Sequence, residues 1–154
     1  MGGQGAIRSV WRHYYQGVSG VVFVVDSSDR QRFKEAAKEL KTMFEESAGD
    51  LGNAHLLVLC NKQDLDGAAN VSEIKEALNV SSVRTEGMYY VQPCCGLTGT
   101  LLRFAYLPTL QSLCFFHHST APFLTYFFVG VGINEGFQWL AGKLNTNTST
   151  CTIS

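Results

Sequence analysis

The sequence predicts an α/β protein built on a mainly parallel sheet with flanking helices. Two continuous apolar runs, residues 20–25 and 56–60, have the length and the apolar character of strands buried on both faces. Between them, apolar residues recur at helical spacing among lysines and glutamates, which is typical of an amphipathic helix. Because strand and helix alternate along the chain, parallel strands joined by crossover helices are favoured.

Length and composition are those of one globular domain. The chain has 154 residues, of which 45% are apolar, enough for a core. The net charge of −1 provides no polycationic surface for a nucleic acid. The five cysteines form no Cys-x-x-Cys pair, so reduced thiols in a cytoplasmic protein are expected rather than a disulfide framework or a zinc site. Neither a secretory signal nor a transmembrane segment is predicted.

The first half of the chain is predicted to hold two strands and two helices. Residues 7–15 are expected to form an irregular aromatic helix that is either an interaction surface or part of the core. The strand at 20–26 leads through Ser27–Asp29, residue types that begin helices, into a helix with an apolar face between residues 33 and 44. The strand at 56–60 follows.

The second half continues the alternation. Asn70 and Glu73 have the spacing of a capping box, which predicts the start of a short helix. Residues 88–92 are typical of a third strand. Apolar residues between 133 and 144 recur at helical spacing, and the polar, Thr-rich residues 145–154 predict a disordered tail.

One segment departs from this pattern. Residues 101–131 carry six phenylalanines, one charge and two prolines, and they have no clear period. An unstructured insertion of this length and apolar character is abnormal for a compact domain. Its adjacent His117 and His118 have no third ligand nearby, so no metal site is predicted. We therefore expect one domain over residues 1–144, interrupted by an aberrant insertion.

The polar residues that end the second strand form the candidate binding site. Asn61-Lys62-Gln63-Asp64 follows five apolar residues, and ligands of open α/β sheets bind at the carboxyl ends of strands. An ionised Asp64 can accept two parallel N–H bonds, which the base-pairing edge of guanine offers and that of adenine does not. Lys62 would lay its methylene stem along the base, and Asn61 would join neighbouring loops. For these four residues alone, a polar turn that caps the next helix is an equal alternative.

Several motifs together resemble the ADP-ribosylation factor and Arf-like family of small GTPases. They occur in the family's order, with family-like spacing from residue 2 to 100. They are Gly2-Gly3-Gln4, Ile7-Arg8, Trp11-Arg12-His13-Tyr14-Tyr15, Phe23 to Arg30, Asn61 to Leu65 and Glu135 to Leu140. The resemblance implies a P-loop NTPase fold of Ras type, GTP or GDP with Mg²⁺ as ligands, and a GTP-hydrolysing switch of membrane traffic.

The resemblance also assigns roles to single residues. Gly3 matches the glycine whose N–H meets the γ-phosphate, and Gln4 matches the glutamine that orients the attacking water. Cys95-Gly96-Leu97 falls where the family has Cys-Ala-Thr, a loop whose amides reach the guanine 6-oxygen. Cys95 and Gly96 therefore join the candidate site, although Gly96 and Leu97 depart from the family pattern. Residues 11–15 fall in the switch region that effectors, exchange factors and GAPs contact.

Other family features have no counterpart here. The sequence contains no Gly-x-x-x-x-Gly-Lys-Ser/Thr loop to cradle the phosphates, no first switch with its threonine and no amphipathic N-terminal helix. The fold is therefore expected to be an N-terminally truncated Ras-like fold that lacks the N-terminal strands. The family's central strand lies beside the strand at 20–25, which would become an unpaired apolar edge.

Two functions follow from these features. The first is an Arf-family GTP-binding, GTP-hydrolysing switch with its guanine-recognition residues present but its phosphate-binding loop missing, so that the chain as written is expected to be inactive. The second is a non-catalytic fragment, or aberrant translation product, that acts at most as a protein-interaction module. A cytoplasmic location is expected in either case, and the family's peripheral membrane association is not expected without the N-terminal helix.

Overall fold

The computed structural model describes residues 15–96, 113–117 and 132–148, which are organised around a four-stranded sheet in the order β3-β2-β1-β4. The strands are β1 (Gly20–Asp26), β2 (His55–Asn61), β3 (Tyr89–Pro93) and β4 (Leu113–His117). All three pairings are parallel, which confirms the predicted α/β class and the three predicted strands.

Helices cover both faces of the sheet, and this explains why the central strands are apolar on both faces. Within the described residues the α-helices are α1 (Phe33–Glu46), α2 (Ala48–Leu51), α3 (Val71–Ala77), α4 (Val80–Val83) and α5 (Ile133–Thr148). On one face, α1 and α3 pack against alternate residues of β1 and β2, among them Phe23 and Val58. On the other face, α5 packs against Leu57 and Leu59.

The helix starts follow the sequence prediction only in part. The side chain of Asn70 accepts the Glu73 N–H at 3.0 Å, and Glu73 accepts the Asn70 N–H at 2.8 Å, so the capping box of α3 is confirmed. Asp29 stands at the N-cap position of a 3₁₀ turn, Arg30–Arg32, that leads directly into α1, so the helical segment begins where predicted, but neither the turn nor α1 has a side-chain capping hydrogen bond. The hydroxyl of Ser28 donates to Asp26 instead, at 2.6 Å.

α5 is longer than predicted and is fixed closely to the end of β3. The helix continues to Thr148, so the prediction of disorder is wrong for residues 145–148, while residues 149–154 lie outside the described part. Once a helix has formed, each further residue extends it at little cost, even with the modest propensities of Asn and Thr. Before the helix, Gly132 has a φ of +85°, and a Cβ there would collide with the carbonyl oxygen of Pro93, so this position requires glycine.

β4 lies inside the segment that was expected to be an unstructured insertion. Leu113–His117 pairs in parallel with residues 20–24 of β1. The prediction that β1 would be an unpaired edge is therefore wrong. Buried backbone groups need hydrogen-bond partners, and an apolar segment from the insertion supplies them here. The other residues of 101–131 lie outside the described part.

His55 begins β2, at the end of the sheet opposite to Asn61. Its ring is buried and lies edge-on to Trp139, with 6.1 Å between the ring centroids. Among the described residues its Nδ1 has no hydrogen-bond partner. Burial lowers the pKa of His55 below its ordinary value of 6.5, and the cations Lys143 and Arg84 lower it further. The fold therefore favours the neutral ring.

We expect His55 to weaken the fold in acid. Because its pKa is lower in the folded than in the unfolded state, the unfolded chain takes up the proton first. The stability that neutral His55 contributes is complete above about pH 6.5 and is lost as the pH falls through and below that value. In urea unfolding between about pH 8 and pH 5, the free energy of unfolding should fall further for the wild type than for His55→Phe. Parallel pH profiles for the two proteins would contradict this.

Candidate functional site

The carboxyl ends of parallel strands bring the candidate residues to one edge of the sheet. The last residues of β1 and β2, Asp26 and Asn61, lie opposite each other, and β3 runs beside β2. The loops that follow β2 and β3 therefore emerge side by side. Their predicted meeting is confirmed by a backbone hydrogen bond of 3.2 Å from the N–H of Gln63 to the carbonyl of Cys94.

Asn61 joins these two loops through its side chain. Its Oδ1 accepts the N–H of Lys62 and the N–H of Gly96, both at 2.9 Å, and lies 3.9 Å from the Sγ of Cys94. One amide oxygen therefore holds its own loop and the loop after β3 in a fixed relation. The predicted contact of Asn61 with the neighbouring loop is confirmed.

Asn61→Ala is expected to lower the free energy of unfolding by about 1–3 kcal/mol, because it leaves two backbone N–H groups without their acceptor. Asn61→Asp is the matched control, since it keeps an oxygen at the Oδ1 position and should cost less stability than alanine does. Urea unfolding followed by tryptophan fluorescence measures both variants. Equal losses in the two variants would contradict the bridging role of the side chain.

Asp64 lies at the surface beside the loop that follows β3. Its Oδ1 accepts the thiol of Cys95 at 3.0 Å, and the residue remains exposed. An ionised carboxylate offers about four lone-pair sites, so one thiol leaves most of its acceptor capacity open. Asp64 and Cys95, which sequence analysis assigned to one site, are therefore in contact.

Gly96 lies beside Asn61 as expected, but its N–H is already in use. Because that N–H donates to Asn61, it can reach an oxygen of a bound base only by exchanging partners. A methyl group at position 96 would meet the side chain of Asn61 at 3.5 Å, which is an ordinary contact. The alanine of the family pattern would therefore fit here. Leu97 lies outside the described residues.

Lys62 is paired with a carboxylate that sequence analysis did not include in the site. Its ammonium lies 2.6 Å from Oδ2 of Asp26, and Ser28 donates to the other oxygen from its N–H at 3.0 Å and its hydroxyl at 2.6 Å. Hydrogen bonding to Asp26 raises the pKa of Lys62. Burial alone would raise the pKa of Asp26, but hydrogen bonds from Lys62 and Ser28 hold it below its ordinary value. Both groups are therefore charged at neutral pH.

The backbone of this loop is strained and braced. Lys62 has a φ of +66°, a left-handed conformation that residues other than glycine rarely adopt and that is enriched at functional sites. Gln63 braces the loop, since its Nε2 donates to Oγ of Ser27 at 2.8 Å and to the carbonyl of Ala69 at 2.9 Å. The sequence predicted no role for Gln63, although its position inside the motif Asn61-Lys62-Gln63-Asp64 was a signal for one.

Two cysteines beneath the site are buried thiols. Burial raises the pKa of Cys60 and that of Cys94 to about 12, with a further contribution from the neighbouring thiol in each case. Both thiols stay protonated at neutral pH, and a protonated thiol is a poor nucleophile. These two side chains therefore pack beneath the loops of the site rather than react.

Other predicted site residues are Gly3, Gln4 and residues 11–14, which lie outside the described part. Tyr15 is described, and it is 4% exposed within the larger core cluster, which for this residue favours the alternative that the segment is part of the core. Among the described residues, no three His, Cys, Asp or Glu side chains are grouped to hold a metal ion. Within the same residues, no helix has both the length and the apolar character needed to cross a membrane.

Comparison with known proteins identifies the family. Residues 1–114 match the ADP-ribosylation factor family. ADP-ribosylation factor K of Dictyostelium discoideum is 34% identical over 145 residues, which are 94% of this chain and 59% of that protein's length. This chain also resembles a solved structure, that of the Arl6 BBS3 small GTPase from Trypanosoma brucei with bound nucleotide analogue GppNp. The two align with a TM-score of 0.64 and 26% sequence identity, and the alignment covers 95% of this chain and 70% of that one. This chain, with its parallel sheet and flanking helices, therefore belongs to the ADP-ribosylation factor family of small GTPases.

Proposed function

We propose that the chain carries the guanine-recognition half of an Arf-family GTP-binding site. The observation that carries this proposal is the bridge made by Asn61, which holds the loop of Asp64 against the loop of Gly96. A base-binding site needs loops that are already held in place. If the loops had to become ordered on binding, the free energy that this costs would lower the affinity. The strained, braced loop around Lys62 supports the same reading.

Selection of guanine would depend on Asp64. The base-pairing edge of guanine presents two adjacent N–H donors, and an exposed, ionised carboxylate can accept both. Adenine presents an acceptor nitrogen beside its amino group. A carboxylate oxygen facing that nitrogen would bring two acceptors together, so the carboxylate favours guanine over adenine. The methylene stem of Lys62 would lie along the base while its ammonium stays on Asp26. The guanine 6-oxygen would take an N–H from the loop of residues 95–97.

The phosphate half of the site is proposed to be incomplete. The 154 residues contain no Gly-x-x-x-x-Gly-Lys-Ser/Thr segment, whose N–H groups, lysine and hydroxyl serve the phosphates and Mg²⁺ in P-loop proteins. Gly3 would meet a γ-phosphate and Gln4 would orient a water, but neither supplies a cation. Binding of guanine without efficient hydrolysis is therefore the activity we propose. Contact with effectors, exchange factors or GAPs through residues 11–14, and a cytoplasmic role in membrane traffic, are proposals from family membership.

An NMR titration with nucleosides tests guanine recognition. Guanosine at millimolar concentration is expected to shift amide resonances in residues 61–64 and 94–96, and adenosine is not. Asp64→Asn should weaken guanosine binding by at least about tenfold, as expected when a charged hydrogen-bond acceptor is lost. Asp66→Asn is the matched control, since it removes the same charge two residues away from an exposed position.

The outcomes separate the two candidate functions. If guanosine shifts no resonances, or if Asp64→Asn and Asp66→Asn bind it equally well, the proposed guanine recognition is wrong. The non-catalytic interaction module would then be the better description of the chain.

A further inference from the structure

We propose that Gln63 is a positioning residue for guanine selection, which holds Asp64 where both donors of the base can reach its carboxylate. The inference rests on the proposed guanine recognition and adds to it a residue on which the selectivity depends. Its basis is the set of hydrogen bonds that Gln63 makes beneath the exposed loop after β2.

The side-chain amide of Gln63 uses both of its N–H groups inside the protein. Its Nε2 donates to Oγ of Ser27 at 2.8 Å and to the carbonyl of Ala69 at 2.9 Å. A glutamine amide has two N–H donors, so neither remains for a ligand. Gln63 is half-buried, whereas Lys62 and Asp64 on either side of it are exposed. One inward side chain therefore lies between the two that are proposed to meet the base.

The two acceptors of Gln63 belong to a well-packed part of the fold. Ser27 and Ala69 are both fully buried, and the N–H of Ala69 donates to the carbonyl of Ser27 at 2.8 Å. The N–H of Ser27 donates in turn to the carbonyl of Asn61 at 2.9 Å, which joins this point to the end of β2. Gln63 therefore fastens the loop to the end of β1 and to the chain just before α3.

The exposed part of the loop needs such an anchor. Residues 64–67 are exposed, and Lys62 holds a φ of +66°. A strained backbone of this kind persists only where the surrounding contacts determine it. Besides the two bonds of its side chain, Gln63 donates its own N–H to the carbonyl of Cys94 at 3.2 Å. Gln63 is therefore hydrogen-bonded to three points outside the exposed stretch.

The carboxylate of Asp64 depends on this backbone for its direction. Its Oδ1 accepts the thiol of Cys95 at 3.0 Å, and a thiol is a weak donor. Two parallel N–H bonds require a well-aligned carboxylate, since hydrogen bonds weaken steeply as they bend. A small shift of the backbone at Gln63 would keep one of these bonds and lose the other. Gln63 is therefore expected to act on selectivity among purines more than on binding itself.

Guanosine and inosine together measure this role. Inosine keeps the ring N–H of guanosine but lacks the 2-amino group, so it offers Asp64 one donor in place of two. In an NMR titration of the full chain, guanosine is expected to bind at least about tenfold more tightly than inosine. Gln63→Met keeps the length of the side chain and removes both N–H groups, so it should lower this ratio to about threefold or less. Gln138→Met is the matched control, since Gln138 is exposed on α5, and it should leave the ratio unaltered.

Ser27→Ala tests the same contact from the other side. It removes the oxygen that accepts one of the two bonds from Gln63 and leaves residue 63 unchanged, so the ratio should fall by a smaller factor. Because the two residues act through one contact, the ratio of the double variant should equal that of Gln63→Met.

Each outcome decides the matter. If Gln63→Met weakens guanosine and inosine equally, or weakens neither, the positioning role is rejected and guanine recognition stands. If Gln63→Met does not fold, Ser27→Ala decides, because a lowered ratio supports the positioning role and an unaltered ratio rejects it. If the wild type binds neither nucleoside, or binds both equally well, the proposed recognition of guanine by Asp64 is rejected, and the positioning role with it.

Discussion

GTP hydrolysis by the 154-residue chain is expected to be undetectable, and GTP is expected not to bind at micromolar concentration. A complete phosphate loop supplies many charge-assisted hydrogen bonds, each contributing about 1.5–3 kcal/mol. Loss of only four would remove roughly 6 kcal/mol, and about 1.4 kcal/mol corresponds to a tenfold change in affinity. Hydrolysis is expected to fail independently, because the 154 residues contain no Gly-x-x-x-x-Gly-Lys-Ser/Thr segment whose lysine and hydroxyl would stabilise charge on the γ-phosphate, even if Gln4 orients a water as proposed.

Titration with a fluorescent GTP analogue and Mg²⁺ measures the binding, and a phosphate-release assay measures the turnover. Asp64→Asn is assayed in parallel, since turnover from a contaminating GTPase would be unaffected by that substitution. Saturable micromolar binding that Asp64→Asn abolishes would show that residues outside the described part form a working phosphate site.

Removal of residues 101–131, with residue 100 joined to residue 132, is expected to abolish the folded monomer. The deletion restores a continuous family-like sequence, so an insertion without a structural role would leave the protein as stable or more stable. The structure predicts the opposite result, because the deletion removes β4 and exposes the backbone of β1 along residues 20–24. The loss is expected to be on the order of the whole stability of a small domain, about 5–15 kcal/mol.

Size-exclusion chromatography and thermal unfolding compare the deletion variant with the wild type. A pair of proline substitutions gives a finer test. Cys114→Pro and Phe115→Pro change adjacent residues of β4, whose N–H groups point in opposite directions across the strand. One proline removes a hydrogen bond to β1 and the other an N–H on the side facing away from β1, where the described residues contain no further strand, so their effects on stability should differ by about 1–3 kcal/mol. Equal effects, together with a monodisperse and cooperatively melting deletion variant, would show that β4 is dispensable.

The strands and the amphipathic helix could be predicted because their signals are local. A continuous apolar run predicts a strand buried on both faces, as β1 and β2 are. The contact between the loops of Asn61 and Gly96 also followed from sequence, since parallel strands that are neighbours end at the same edge. The alternation of helix and strand along the sequence was enough to predict that these strands are parallel neighbours.

The parts that were missed depend on contacts between distant residues. β4 carries no period of its own, and its strand state depends on pairing with a segment far away in the chain. Asp26 was predicted only as the last residue of a strand, and its pairing with Lys62 depends on the register of β1 against β2. For the segment that ends at Tyr15, an aromatic residue near arginines left both an interaction surface and the core as alternatives, and the fold buries Tyr15 in the core.

The pairing of β1 with β4 also has a kinetic consequence during synthesis. Gly20 is made early, but its partner Leu113 leaves the ribosome only after the whole of β2 and β3 has been made. Contacts between residues so distant in sequence require closure of a long loop and form slowly. Until then the nascent chain carries a hydrophobic strand with one open side, the kind of surface that chaperones bind and that leads to misfolding when they are absent. The amount of this protein that reaches its folded state is therefore expected to depend on the rate of chain elongation as well as on equilibrium stability.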